Sequence, residues 1–128
     1  MKRFPDSGRP SRLFDKFNPY WDNYDRKKNA IFVGLVLGEL NELLQTRGYV
    51  LLNEAFLRLG FECTPSGERL GWRKYPHCDD GDAFISFGIW DQGFRTGLDW
   101  LEGASDLVVL RFNVDITPVI DNERGSTQ

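Results

Sequence analysis

Two cysteines and a single histidine are all that 128 residues offer to disulfide or soft-metal chemistry. Cys63 and Cys78 are too few for a disulfide scaffold and suit a reducing cytosol whether or not they meet. Long apolar runs are missing too. The most apolar stretch, Ala30 to Leu37, falls far short of the ~20 residues that a membrane span needs, leaving it to a buried helix or an oligomer contact. The opening Met1-Lys2-Arg3-Phe4-Pro5-Asp6 is charged and leads into no apolar signal segment. No internal repeat is present. These absences predict a soluble protein, intracellular or packed inside an assembly, with no cofactor.

What is present is ordinary in bulk and unusual in detail. A hydrophobic fraction of 41% and a charged fraction of 27% fit one globular domain able to bury a core unaided. Ten Phe and four Trp lift the aromatic share to 14%, so a core or an interface is built from large flat rings. Charge is divided along the chain. Residues 1–28 carry eight Lys/Arg against four Asp, and this +4 with −7 on the remainder makes the net −3. Such a basic arm suits its own acidic body or a second copy.

Residues 1–22, with Pro5, Pro10 and Pro19 and no helical period, read as an extended basic and aromatic arm. Its Phe14, Phe17, Tyr20 and Trp21 are costly to leave in water, which predicts that its second half docks. Asn23 or Asp25 can cap a helix running to about Thr46, with Gly48 ending it. Val33, Leu37, Leu40 and Leu44 form one stripe of that helix, but Ile31 and Leu35 lie to one side and Phe32, Val36 and Leu43 to another. A helix apolar nearly all round needs cover from the arm or from a second protein. Gly34 and Gly38, four apart, hint at close helix packing.

Tyr49–Leu52 reads as a strand and Asn53 as the cap of a short helix ended by Gly60. Thr64-Pro65-Ser66-Gly67 is a turn. Arg69–Tyr75 reads as a strand with Leu70 and Trp72 on one face. Alternation marks two more strands, Ala83–Trp90 and Leu107–Ile116. Between them Gln92–Gly103 is a long connection whose Phe94, Leu98, Trp100 and Leu101 point to function or to folding back. The architecture predicted is α+β, an N-terminal helix and a short second helix packed on one face of a small antiparallel sheet. Residues 23–121 would form the single domain, and 122–128 a frayed tail.

One segment gathers chemistry-bearing residues, Pro76-His77-Cys78-Asp79-Asp80-Gly81-Asp82. Adjacent His77 and Cys78 cannot easily bend to one zinc with Cys63, and the paired spacing of local zinc motifs is missing. Asp80-Gly81-Asp82 begins a calcium loop that no glutamate closes. Turn chemistry ahead of a strand accounts for the segment better. Neighbouring Cys and His side chains also point apart on extended chain, and Glu54 is more simply a carboxylate near a helix dipole's positive end than a general base. Trp72, Arg73, Lys74 and Tyr75 could contact nucleic acid, though the acidic body argues against it.

Further pieces form a pattern: Tyr49-Val50-Leu51-Leu52-Asn53-Glu54, Leu59-Gly60, Gly67-Glu68-Arg69-Leu70-Gly71-Trp72, Asp80-Gly81 and Phe112-Asn113-Val114. This pattern resembles the C-terminal core of small phage- and prophage-encoded proteins of unknown function, over about half the chain. The resemblance implies a viral origin and a place in the virion or the host cytoplasm, and carries no catalytic residues. The function expected is non-enzymatic and works by protein contact or self-association through Phe14, Phe17, Tyr20 and Trp21 with Phe94, Leu98, Trp100 and Leu101. The alternatives are an acidic mimic of DNA that blocks a host defence enzyme, and a small metal-dependent hydrolase or nuclease using His77, Asp79, Asp80 and Asp82.

Overall fold

A computed structural model of the chain describes residues 10–74 and 84–114. Strand β1 (Ser11–Phe14) is followed by the long helix α1 (Arg26–Arg47), strand β2 (Tyr49–Leu51) and helix α2 (Leu52–Leu59). Strand β3 (Gly71–Arg73), helix α3 (Phe94–Leu101) and strand β4 (Val108–Arg111) complete the order, with 3-10 turns at Ser66–Glu68 and Trp90–Gln92. The fold is α+β. Both strand pairs are antiparallel, but they form two separate ladders: β1 with β4, and β2 with β3.

Local chemistry explains α1. The Asp25 carboxylate accepts the Lys27 N–H at 3.1 Å, and Gly48 takes the left-handed conformation (φ 96°) and donates its N–H to the Leu44 carbonyl. Both ends are thus closed by residues that such ends favour. Ahead of the cap, Asp22 accepts the N–H groups of Tyr24 and Asp25. These two bonds, Tyr24's first, with help from the Lys28 charge, hold the Asp22 carboxyl below its ordinary pKa. Val33, Leu40 and Leu44 are buried and Leu37 packs partly against them, as the stripe predicts. Gly34 and Gly38 do not support close packing among the described residues, because a methyl carbon on either would meet none of them within 4 Å. In a helix interior each still costs about 1 kcal/mol relative to alanine.

Phe14 is the hub of the core. Its ring lies 5.4 Å from Trp21, 5.9 Å from Phe32 and 6.3 Å from both Phe61 and Trp100. Phe61 continues edge-on to Phe56, Phe56 to Phe112, and Phe112 to Phe87. A chain of edge-to-face rings thus joins β1, α2 and the residue just after β4, the arrangement that ring quadrupoles favour. The second half of the arm docks here: β1 pairs with β4 in the register Ser11↔Arg111 to Phe14↔Val108. On the inward side of β1, the Arg12 guanidinium covers the Phe56 ring at 4.6 Å.

Three sequence expectations need correction. No strand forms over Phe84–Trp90 among the described residues, although Ile85 and Phe87 are buried and Phe84 and Trp90 exposed as the alternation predicts. Two side-chain amides have taken over there. Asn41 accepts the Ile85 N–H at 2.8 Å and donates to its carbonyl at 3.1 Å, and Asn113 accepts from Ser86 N–H and donates to the Phe84 carbonyl. The end of β4 and the chain just beyond it supply the bonds from Arg111 and Asn113 N–H to the Phe87 and Ser86 carbonyls. Second, Gln92–Gly103 is largely the helix α3, not a loop. Third, Asn53 does not cap α2, which begins at Leu52. The capping bond comes instead from Glu54, which reaches back to Leu51 N–H at 2.9 Å. Tyr75, Ala83, Asp115, Ile116 and the expected tail 122–128 lie outside the described residues.

Asparagine braces recur. Asn29 holds the N–H and carbonyl of Asp22, and Asn53 those of Thr64, each amide acting as one rung of a ladder. Such paired bonds satisfy backbone that has no strand beside it. Replacing Asn41 with alanine is expected to cost about 1–3 kcal/mol and to speed exchange of the Ile85 amide. Hydrogen exchange read residue by residue checks this; unchanged protection at Ile85 would refute it.

Candidate functional site

The described motif residues serve the fold. Asn53 braces Thr64, and a methyl carbon on Gly67 would collide with the Asn53 amide, so Gly67 is required by close approach. The Trp72 indole is buried and donates to Asn113 at 2.8 Å. It is therefore no stacking platform for a base, which corrects that part of the Trp72–Tyr75 reading; Tyr75 lies outside the described residues. The Glu54 carboxylate accepts from Leu51 N–H and pairs with Arg47, leaving it a structural role. His77, Cys78, Asp79, Asp80 and Asp82 also lie outside the described residues. Cys63 is exposed with a free thiol. Among the described residues no group of three or more His, Cys, Asp or Glu side chains is placed to hold a metal ion.

The expected contact residues divide into two sets. Phe14 and Trp100, the latter 1% exposed, belong to the core. Their assignment to a partner surface is corrected: their rings face each other and Trp21, which lies 6.1 Å from Trp100 and is itself half-covered. Phe17 stays out, 83% exposed, with the Lys16 ammonium 5.4 Å from its ring centre. Tyr20 is exposed and rests edge-on against Phe32 at 5.5 Å.

The remaining three residues share one face. On α3, Phe94, Leu98 and Leu101 are spaced four and three apart, which places them on a single side of the helix. Phe94 is 71% exposed, Leu101 exposed and Leu98 half-buried. Trp100 projects to a different, buried side and pins the helix to the core. Trp90, from the preceding 3-10 turn, extends the outer face. Its indole lies over Gly97, where a methyl carbon would collide with the ring, and 5.8 Å from the Phe94 ring. At the rim, Arg95 and Asp99 pair across one helical turn at 3.4 Å. An aromatic centre with a charged rim is the composition of a protein-binding hot spot.

Sequence reasoning missed Trp90, because alternation assigned it to the outer face of a strand. The usable signal was Trp90, Phe94, Leu98 and Leu101 spaced four, four and three apart, a helical period interrupted by Gly93. No helix among the described residues is long and apolar enough to cross a membrane. No curated protein and no solved structure matches the chain. The model of a family of unknown function, DUF6353, matches residues 6–122, and the chain belongs to that family.

Proposed function

We propose that this is a non-enzymatic, phage-encoded protein that acts by protein contact, as a virion component or as an accessory factor in the host cytoplasm. The observation that carries the reading is the outer face of α3. There Trp90, Phe94, Leu98 and Leu101 present apolar surface on a helix whose other side is locked into the core by Trp100. Binding to such a face costs little ordering, since the rings are already positioned. The viral origin rests on the sequence pattern described above.

The test compares the wild-type chain with a Phe94→Ala, Leu101→Ala double variant in quantitative recovery of bound proteins from host cells. A partner recovered with the wild type is expected to fall at least ~10-fold with the variant, while the melting temperature stays unchanged. Equal recovery of every bound protein by both chains would overturn the reading.

A further inference from the structure

Opposite its buried stripe, α1 presents a second apolar face that nothing among the described residues covers. Ile31 is 59% and Leu35 64% exposed, and between and beyond them stand Gly34 and Gly38 in open space. Neither glycine has a positive φ, so neither is required by backbone conformation. No packing among the described residues needs them either. Two helix-weakening residues on the exposed side of a 22-residue helix lower the surface just where Ile31 and Leu35 stand proud of it.

The charges flanking this face identify its occupant. Lys27 lies one turn before Ile31 and Glu42 one turn after Gly38, so the face is positive at one end and negative at the other. We infer that the face binds a second copy of this chain, the two α1 helices crossing antiparallel about a two-fold axis between Gly34 and Leu35. That axis sets Ile31 over the partner's Gly38, Leu35 over the partner's Gly34, and Lys27 across from the partner's Glu42. Every contact then occurs twice, as a closed two-fold interface requires. A parallel crossing would place like charges together. One helix crossing buries less than the ~800 Å² per partner of a standard interface, so the dimer is weak, with Kd on the order of tens of micromolar. This inference uses none of the α3 face and stands apart from the function proposed above.

Sedimentation equilibrium of the full chain from ~1 to ~500 µM tests it. The wild type is expected to pass from monomer to dimer across that range. Lys27→Glu alone and Glu42→Lys alone each weaken association about 5-fold or more, whereas the double reversal restores it, since opposite charges again face each other. Both positions are exposed, and an unchanged circular dichroism spectrum shows that each variant folds. A wild type monomeric at every concentration would overturn the inference, as would a dimer indifferent to both single reversals. A double reversal no better than the singles would also refute it, because the face would then hold a different occupant.

Discussion

Trp100→Ala is expected to lower stability by about 3–5 kcal/mol, the loss seen when a buried indole or phenyl ring is removed. The side chain is 1% exposed and packs against both Phe14 and Trp21. It is one of the four aromatic neighbours of Phe14 on β1, so its loss opens the centre of the ring cluster. Against a total of about 5–15 kcal/mol for a domain of this kind, that is a large share, and the melting temperature should fall by roughly 10–20 °C. Phe94→Ala, six residues earlier on the same helix, should shift stability by no more than about 0.5 kcal/mol. Calorimetry or urea titration of the two variants separates the core side of α3 from its outer side. Equal losses would show that the outer face is core as well, and the proposed contact surface would be withdrawn.

Gly71→Ala should be comparably damaging for a different reason. Gly71 faces Leu51 in the β2–β3 ladder, and a methyl carbon there would collide with the Val50 carbonyl and lie 2.8 Å from the Leu51 Cα. Both obstacles are backbone, so no side-chain rotation relieves them. The strands must part, weakening the ladder and the adjoining bonds from Leu52 N–H to Leu70 and from Lys74 N–H to Gly48. A loss of about 3 kcal/mol or more is expected. Gly34→Ala is the control. With open space around it, the same change on α1 should add up to ~1 kcal/mol to the monomer at low concentration. Similar urea midpoints for the two variants would refute the steric account.

Much of the secondary structure was legible because it is encoded within a few residues. Asp25 at the start of α1, Gly48 and Gly60 at helix ends, and the Val108, Leu110, Phe112, Val114 alternation each act over one or two turns of chain. The helix α3 was legible in principle, through the spacing of Phe94, Leu98 and Leu101, but Gly93, Gly97 and Gly103 masked it. Gly97 in particular weakens the helix locally and is tolerated because the Trp90 ring lies over it. The fate of the arm was half visible. Aromatic content predicted docking, yet nothing in residues 1–22 tells Phe14, which is buried, from Phe17, which is not.

From the sequence alone came the α+β class, the extent of α1 and the surplus of apolar surface around it, since periodicity and capping are short-range properties of the chain. Only the tertiary structure decided which rings are consumed by the core, and that asparagine amides hold a segment in place of a strand. The bond from Asn41 spans 44 residues and that from Trp72 to Asn113 spans 41. An asparagine side chain looks the same in sequence whether it meets water or a distant part of the chain, and only the fold brings that partner within hydrogen-bond reach.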